Sequence, residues 1–409
     1  MQAFDRALSP QSESTSHRGW TFMALLSALM AFTSLSTDIY LPAMPQMQRD
    51  LGGNVELTIT GFLIGFALAQ LVWGPISDRI GRRRPLVVGV ALFVVGSMGC
   101  ALSQDLAQMV AWRVIQAFGA CTGPMLARAM VRDLFARIEA AKTLSTLTVI
   151  MAIAPIIGPL LGGQMVRVTT WHAIFWLLAT VGVLMLLALR ALPETLPPGR
   201  RTTTPWTAAL GDYLGLLRNG AFMRYTLSVT FLYMGVYAFI AGSPFVYIEH
   251  FHVDPQHYGW LFGLNILGVM ALSAINRRLV SRFSLDSLLC GATAVALLAM
   301  VAGAMLLSWR TDALWLMALP VFVFFSTNGI VAATATAAAL DAAPRVAGSA
   351  AALIGALQYG SGIVSSVALA ALHSHGPMTL TLLMTAFAAA SAAMACWSKL
   401  SSLQNKVSV

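Results

Sequence analysis

The chain has 409 residues, of which 58% are hydrophobic and only 10% are charged. Soluble globular domains carry about 25% charged residues, so this composition excludes an ordinary soluble domain, a disordered chain and a coiled coil. The four cysteines lie far apart in apolar runs and lack the spacing of a metal site or a disulfide framework. A net charge of +9 could suggest nucleic-acid binding, but little polar surface remains to display a basic groove. An integral membrane protein is the class that remains.

Apolar stretches long enough to cross a bilayer recur along the chain, and each needs about 20 residues of helix. The first follows a charged N-terminus, but it is too long for the apolar core of a signal peptide, so we interpret it as helix 1. A stretch at about 106–127 contains a single charge, Arg113. Eleven others contain no Asp, Glu, Lys or Arg: 20–37, 57–77, 86–104, 143–166, 168–189, 225–248, 255–276, 287–309, 313–340, 346–372 and 376–398. The sequence therefore predicts twelve spans.

Basic residues predict the orientation, because Lys and Arg are enriched in cytoplasmic loops. With the N-terminus in the cytoplasm, twenty-one of the twenty-five Lys and Arg residues fall on the cytoplasmic side. Arg49, Arg167 and Arg310 fall outside, and Arg113 lies within a span. A wrong number of spans would have placed many of these Lys and Arg residues on both sides of the membrane. We therefore predict that both termini are cytoplasmic.

The longest polar stretch between spans covers about residues 190–224 and is rich in Pro, Thr and Arg. It predicts a cytoplasmic linker with a short interfacial helix near 206–217. The chain is thereby divided into an N-terminal six-helix bundle (1–191), a linker (192–221) and a C-terminal six-helix bundle (222–409). Basic loops follow spans 2 and 8 at equivalent places, which hints at an internal repeat. Two six-span halves fit a transporter that works by alternating access.

Two charges interrupt the outer halves of the spans. Asp38 precedes the outer end of span 1 and Arg113 follows the outer start of span 4, and both lie about 6–10 Å below the outer edge at 1.5 Å per residue. A charge in hydrocarbon is costly, so we predict that the two form a pair, at all times or in one conformation only. Burial favours a neutral carboxyl and a guanidinium favours a charged one, which predicts a protonation switch. The alternative is that Asp38 only caps helix 1, which Pro42 and Pro45 end.

The loop after span 2 reads "GPISDRIGRRR" over 74–84. The basic run is expected of any cytoplasmic loop, and the glycines are expected of a tight turn. Neither expectation explains why Asp78 is followed by Arg79. An acid here can interact with a helix N-terminus, and a nearby Arg can pair with an acid on a neighbouring helix. We therefore predict a cytoplasmic latch that breaks when the two halves move. Its predicted members are Gly74, Asp78, Arg79, Gly81, Arg82 and Asp133.

Span 5 contains the segment "APIIGPLLGGQ", with small residues every four positions. Such a stripe allows close approach of a second helix, and prolines kink and stiffen the helix that carries them. Packing alone accounts for much of this pattern, but the doubled P-x-x-G register is unusual. The residues concerned are Pro155, Gly158, Pro159, Gly162 and Gly163.

The chain resembles the major facilitator superfamily over essentially its whole length, and three motifs carry the resemblance. The G-x-x-x-D-R-x-G-R-R loop at 74–83 resembles the superfamily signature between helices 2 and 3. "RVIQAFGA" at 113–120 resembles the helix 4 motif, whose Arg is associated with proton transfer. "APIIGPLLGG" at 154–163 resembles the helix 5 motif of drug:proton antiporters, although Ala154 stands where a Gly is expected.

Four further segments are similar to the bicyclomycin/chloramphenicol resistance (Bcr/CflA) exporters: "STDIYLPAMP" (36–45), "WHAIFW" (171–176), "ETLPP" (194–198) and "GSPFVYIE" (242–249). This resemblance implies an all-α membrane protein with the major facilitator fold, twelve transmembrane helices in two pseudo-symmetric six-helix bundles. It implies a central cavity lined by helices 1, 4, 7 and 10, and a location in the bacterial inner membrane. It also makes Asp38 the embedded acid used in coupling.

Uncharged polar and aromatic side chains inside the spans are weaker candidates. They could line a substrate cavity, or they could pack and hydrogen-bond between helices. The candidate cavity residues are Tyr40, Gln116, Tyr233, Tyr237, Asn328 and Gln358. The acids and histidines of 249–257 could hold a metal ion, but we interpret them as a solvated loop and expect no metal site.

These features predict a secondary active transporter rather than an enzyme. We expect proton-coupled efflux of small drugs or antibiotics by alternating access. The sequence has no phosphate-binding loop and no nucleophile–base constellation, so we expect the proton gradient to drive transport without a cofactor. The expected partners are a drug-like small molecule, protons and the lipid bilayer, with no nucleic acid, and the expected state is a monomer. The alternative is a proton-coupled uptake symporter for a small metabolite, against which the span 5 motif argues.

Overall fold

The structure is a computed structural model that describes residues 11–135, 137–201, 206–309, 313–372 and 376–407, and these residues contain no β-strand. The helices up to residue 191 are α1 (Gln11–Asp38), α2 (Met44–Leu51), α3 (Leu57–Ile80), α4 (Arg83–Ala101), α5 (Leu106–Ala120), α6 (Thr122–Leu134), α7 (Arg137–Val168) and α8 (Trp171–Ala188). The later helices are α9 (Trp206–Arg218), α10 (Gly220–Pro244), α11 (Pro255–Leu279), α12 (Leu285–Trp309), α13 (Leu314–Asp341), α14 (Ala347–Ala371) and α15 (Pro377–Val407). Short 3-10 helices lie at Leu41–Ala43, Leu189–Ala191, Pro198–Arg200 and Pro344–Val346, and a π-helix lies at Phe245–His250.

The described residues contain twelve helical segments long and apolar enough to cross a membrane, which confirms the predicted number of spans. Helix is the structure that satisfies every backbone polar group within such a segment. Large apolar side chains cover the outward-facing surface, for example Leu298, which is 68% exposed. Trp309 and Trp315 are exposed at the ends of two spans, where indole rings favour the membrane interface. We keep the terms outer and cytoplasmic for the two ends of the spans as the sequence predicts them.

The fourth span is longer than predicted and consists of two helices. It runs over Leu106–Leu134, and α5 meets α6 at Cys121. Pro124 lacks the N–H that would bond to the carbonyl of Ala120, and the hydroxyl of Thr33 donates to that carbonyl instead at 3.1 Å. The span therefore continues seven residues past the predicted end at 127, and Arg128 lies inside it rather than in a loop.

The helices pack into two groups that meet along two seams. Within the first group, α3 and α4 pack on α5, α4 packs on α8, and α1 packs on α7. Within the second, α10 and α12 pack on α15, and α13 packs between α11 and α12. The groups touch where α7 packs on α11 and where α3 packs on α14. A contiguous apolar core runs through both groups.

Hydrogen bonds of Asn54 and Arg167 join the groups directly, and both lie at the outer ends of the spans. The Nδ2 of Asn54 donates to the carbonyl of Ala370 at 3.4 Å. The Nη1 of Arg167 donates to the Oε1 of Gln256, also at 3.4 Å. The 3-10 helix at Leu41–Ala43 packs between α7, α10 and α11 at the same end. The outer ends of the two groups are therefore closed against each other.

Candidate functional site

Asp38 is the last residue of α1 and is buried, with 6% of its surface exposed. A Cβ built on Gly158 of α7 would lie 3.3 Å from the backbone N of Ile39 and 3.4 Å from the Cβ of Asp38, so α7 packs closely against the end of α1 at this glycine. Pro42 lacks the N–H that would bond to the carbonyl of Asp38, so α1 ends there, and Pro42 and Pro45 stand at the starts of the 3-10 helix and α2 that follow. An acid buried to this degree does not fit a solvated helix cap.

Arg113 on α5 is fully buried and is held by neutral acceptors. Its Nη1 donates to the Oε1 of Gln116 at 2.6 Å and to the carbonyl of Ser36 at 3.2 Å, and its Nε donates to the carbonyl of Thr58 at 3.4 Å. Gln116 donates in turn to the hydroxyl of Ser97 at 2.7 Å. Gln116, a predicted cavity residue, is therefore fully buried and orients Arg113.

Two aromatic rings cover the guanidinium of Arg113. The rings of Tyr40 and Phe62 each lie 4.4 Å from its central carbon, a distance at which a cation is attracted to the ring face. Tyr40 shares a hydrogen bond of 3.2 Å with Thr58 and is itself fully buried. Tyr40 was a predicted cavity residue, and the structure places it against Arg113.

Asp38 and Arg113 lie close enough to interact electrostatically. No ion pair joins them among the described residues, in which the bonds of Arg113 go to the neutral acceptors above. The Nη2 of Arg113 is buried and has no hydrogen-bond partner in this part of the chain. A buried donor left unpaired is costly, so the guanidinium has a free bonding position for a carboxylate or a water molecule.

A row of aromatic rings, here the ring row, connects the two groups of helices at the middle of the spans. Phe62 and Phe66 of α3 lie 6.1 Å apart, and Phe66 lies 4.1 Å from Tyr359 of α14. Tyr359 lies 6.3 Å from Tyr237 of α10, which lies 6.2 Å from Tyr233. Asp38 lies near Tyr237 and Tyr359. Two predicted cavity residues, Tyr233 and Tyr237, thus belong to a wall that the acid faces.

The other two predicted cavity residues are partly buried. Asn328 of α13 lies beside Tyr233, and its Oδ1 is buried without a hydrogen-bond partner in the described residues. Gln358 precedes Tyr359 on α14, and only its backbone carbonyl has a bond shown, from the hydroxyl of Ser361 at 2.6 Å. Asn328 and Gln358 are thus placed beside the tyrosines of the ring row.

The span 5 motif residues all lie within α7: Pro155, Gly158, Pro159, Gly162 and Gly163. Their glycines allow contact with two different neighbours. A Cβ on Gly162 would overlap the carbonyl of Ile39, the residue after Asp38, and a Cβ on Gly163 would overlap the carbonyl of Pro255 in α11. This stretch of α7 therefore touches the end of α1 on one side and the second group of helices on the other.

Arg82 is the centre of the cytoplasmic cluster. Its Nε donates to the Oδ2 of Asp133 at 2.9 Å, and its Nη1 donates to Asp78 and to the hydroxyl of Ser77. Burial lowers the pKa of Arg82, but the hydrogen bonds and charges of the two carboxylates outweigh that effect and leave the pKa above its ordinary value. Arg82 is therefore a fixed cation shared by two helices.

The remaining members of the predicted latch differ in what the structure requires of them. Gly81 has φ +96°, a conformation that favours glycine, and a Cβ there would run into the carboxylate of Glu194. Gly74 has open space around it, so no close contact demands a glycine. Arg79 lies in the last turn of α3.

Comparison with known proteins places these features in one family. The profile of the Major Facilitator Superfamily matches residues 26–366. The chain belongs to the Major Facilitator Superfamily, and it is a transporter rather than an enzyme. The MFS-type transporter YdgK of Bacillus subtilis is 37% identical over 81% of this chain and 84% of its own length. The Bicyclomycin resistance protein homolog of Haemophilus influenzae is 29% identical over 88% and 92%, and Multidrug resistance protein D of Escherichia coli is 31% identical over 90% and 93%.

Solved structures of superfamily members share the fold. An inward-facing bacterial homologue of the human lysosomal transporter Spinster superposes with a TM-score of 0.74 at 15% identity, covering 95% of this chain and 98% of the homologue. The xylose transporter XylE of Escherichia coli gives a TM-score of 0.71 at 13% identity, covering 91% and 96%. The major facilitator fold of twelve helices in two bundles is therefore confirmed, and so is the resemblance to the bicyclomycin resistance exporters.

Sequence reasoning missed two parts of this superfamily site. Glu194 and Thr195 belong to the cytoplasmic cluster: the carboxylate of Glu194 accepts from the backbone N–H of Arg82 at 2.8 Å and of Arg83 at 3.2 Å, and Thr195 donates to Asp133 at 3.1 Å. An acid directly after a span, in the "ETLPP" segment, was the available signal. In the ring row, Phe62, Phe66 and Tyr359 were missed, although two phenylalanines four residues apart mark one helix face.

The acids and histidines of 249–257 remain at the surface. His257 and Asp254 approach to 4.0 Å, but their side chains are 63% and 68% exposed. Among the described residues, no group of three or more His, Cys, Asp or Glu side chains is placed to hold a metal ion. This segment therefore adds nothing to the transport site.

Proposed function

We propose that the chain exports small drug-like molecules from the bacterial cytoplasm in exchange for protons, with Asp38 as the group that carries the proton. The observation that supports this most is the position of Asp38. It is a carboxyl buried within a span, against the glycines of the span 5 motif and facing a wall of tyrosines. Intramembrane acids are rare and commonly belong to proton or substrate pathways.

The surroundings of Asp38 suggest how proton and substrate could exclude each other. The Nη2 of Arg113, which has no hydrogen-bond partner among the described residues, would donate to the ionised carboxylate of Asp38 after the proton leaves. A substrate that binds Asp38 from the ring row would compete with the proton for the same carboxyl. One site would then hold either ligand, as exchange requires.

The names of the relatives support the direction of transport. Bicyclomycin resistance and multidrug resistance proteins align with nearly the whole chain. A proton that enters down a 100 mV potential supplies about 2.3 kcal/mol, enough for about a 50-fold substrate gradient. In this proposal the protein acts as a monomer in the inner membrane, with both termini in the cytoplasm, and it needs no cofactor.

The moving parts in this proposal are the two bundles, residues 1–191 and 222–409, with 192–221 as the linker. The outer ends are closed in this structure, so transport requires the seams between α7 and α11 and between α3 and α14 to rock. The Arg82 cluster would act as the latch that holds the cytoplasmic ends of the first bundle together during that motion.

Proton movement in proteoliposomes tests the proposal. The purified protein is reconstituted with a pH-sensitive dye inside, and an inward gradient of a transported drug is imposed without a pH gradient. Exchange predicts that the lumen becomes alkaline, whereas the uptake-symporter alternative predicts that it becomes acidic. A pH that does not change while the drug moves would refute proton coupling.

The matched variants are Asp38→Asn and Asp105→Asn. Asp105 is an acid outside the site that caps α5, and asparagine caps a helix equally well. We expect Asp105→Asn to transport like the wild type and Asp38→Asn to lose the drug-driven pH change. A pH change that persists in Asp38→Asn would remove Asp38 from the coupling mechanism.

A further inference from the structure

Arg128 is a charge inside a span that the coupling proposal does not use. Three charged side chains in the described residues lie more than five residues from either end of a span, namely Asp38, Arg113 and Arg128. Unlike the other two, Arg128 is exposed. A charge at this depth faces a water-filled cavity or a partner rather than lipid.

Arg128 is exposed within a span and lies near a residue of the other bundle, which places it at the space between the two bundles. It lies on α6, which packs against α1, α3, α4 and α7 of its own bundle. Its guanidinium interacts electrostatically with Tyr359 of α14, in the other bundle. One bond from it is shown, from Nε to the carbonyl of Pro124 at 3.0 Å, so its two terminal nitrogens remain available within the described residues.

Asp38 and Arg128 lie at opposite ends of the same space. Arg128 follows Arg113 by fifteen residues, which places it about 22 Å nearer the cytoplasmic side at 1.5 Å per residue. Side chains in a helix lean towards its N-terminus. The side chain of Arg128 therefore leans outward and that of Asp38 leans towards the cytoplasm. Tyr359 lies near both charges.

We propose that the space between the two bundles binds zwitterionic aromatic substrates selectively, with the substrate carboxylate on the terminal nitrogens of Arg128 and the cationic end towards Asp38. The inference rests on the proposed export function and names its substrate class. A guanidinium binds a carboxylate through two parallel hydrogen bonds, and the rings of Phe66, Tyr237 and Tyr359 supply flat faces for an aromatic body. A substrate with a cation alone would leave the charge of Arg128 without a partner.

Two rhodamine dyes that differ in one group provide the test. The methyl ester is a cation, and the free acid has the same ring system with an added carboxylate. Binding of each dye to the purified full-length protein is measured by fluorescence anisotropy. We expect the wild type to bind the free acid more tightly than the ester. Binding of the ester as tight as that of the acid, or of neither dye, would overturn the proposal.

The variants separate the two ends of the cavity. Arg128→Gln is expected to weaken binding of the free acid by about tenfold to a hundredfold, because it loses hydrogen bonds to a charged group, and to change ester binding less than about twofold. Arg128→Lys keeps the charge without the paired geometry and is expected to lie between. Arg132→Gln, one turn nearer the cytoplasm on the same exposed face, is the matched control and is expected to bind both dyes like the wild type.

Other outcomes are equally informative. An unchanged acid-to-ester ratio in Arg128→Gln, with normal binding, would overturn the role of Arg128. If Arg128→Gln does not fold, an Arg128→Lys variant with the full wild-type ratio would overturn the paired geometry. Proton-coupled export of cations alone would leave the export function standing and refute this inference. Acid-selective binding that depends on Arg128, without proton movement, would support this inference and refute proton-coupled export.

Discussion

Two buried arginines of the first bundle are held in opposite ways. Arg82, at the cytoplasmic end, bonds to the two carboxylates of Asp78 and Asp133. Arg113, towards the outer end, bonds to an amide and to backbone carbonyls and lies between two rings. Because two hydrogen-bonded carboxylates balance the charge of Arg82, this cation is not expected to change partners. A cation held by neutral groups near an acid can take that acid when its proton leaves.

The difference suggests that the two clusters have different roles within one bundle. The cluster around Arg82 has its charges balanced in place, so it fixes α3, α4 and α6 relative to one another. Within the described part of the chain, the Nη2 of Arg113 has no hydrogen-bond partner. Charge rearrangement is therefore expected at the outer cluster, and mechanical integrity at the cytoplasmic one. Substitutions in the two clusters test this division, because they should affect different measured quantities.

The largest effect is expected from Arg113→Ala. The change leaves the buried Oε1 of Gln116 without its donor, at a cost of about 1–3 kcal/mol, and removes the cation that Asp38 faces. Transport in proteoliposomes should fall to the level of empty liposomes, and the unfolding temperature should drop. Arg113→Lys keeps the charge but cannot reach all of these acceptors, so it should restore stability more than transport. Full transport by Arg113→Ala would show that the outer cluster is structural.

Asp133→Asn should act on stability more than on coupling. It removes the charge from a hydrogen bond to a buried guanidinium, and such bonds contribute about 1.5–3 kcal/mol. The unfolding temperature should fall, while the number of protons exchanged per drug molecule should stay as in the wild type. An altered proton-to-drug ratio in this variant would contradict the division between the two clusters.

Asp78→Asn is expected to have a smaller effect, because the side chain of Asp78 is 48% exposed and that of Asp133 only 15%. An ion pair this exposed contributes up to about 1 kcal/mol. Because the latch holds the cytoplasmic ends of the first bundle together while the bundles move, a weakened latch should lower the turnover number several-fold while the drug concentration for half-maximal transport stays the same. Normal turnover in Asp78→Asn would discredit the latch.

The two clusters also differ in how much of them the sequence could predict. Asp38 and Arg113 were identifiable because a charge in an apolar span is conspicuous, and the bond between Arg82 and Asp133 follows from two charges at the same membrane edge. The neutral acceptors of Arg113 were not identifiable, because backbone carbonyls carry no sequence signal. Arg128 was assigned to a loop because the predicted fourth span ended at 127, directly before this next charge, whereas the observed span runs to Leu134.

The spans themselves were predictable for a physical reason, since apolar length alone decides whether a helix crosses the membrane. The seams between the bundles were not. The meeting of Phe66 with Tyr359 depends on how two helices far apart in the chain are oriented, and no local pattern encodes that. Glu194 belongs to the same class, because its bonds to α4 cross 112 residues of chain.

The smallest expected effect concerns Glu194 and is visible in its pH dependence. Burial raises the pKa of Glu194, but the backbone N–H groups of Arg82, Leu196, Arg83 and Thr195 outweigh burial and leave the pKa below the ordinary value of 4.5. The ionised carboxylate therefore stabilises the folded state at pH values above 4.5, and this contribution is lost as the pH falls through the lower folded-state pKa.

Glu194→Gln should accordingly unfold at a lower temperature than the wild type at neutral pH, and the difference should shrink as the pH drops below 4.5. Asp105→Asn serves as the control for acidification, because Asp105 caps α5 at the other end of the membrane. Transport should change little, since Glu194 holds the N-terminus of α4 and touches neither Asp38 nor the ring row. A difference in unfolding temperature that stays constant with pH would mean that the amide fails for reasons of shape rather than charge, and the linker would then be fastened to the first bundle by packing alone.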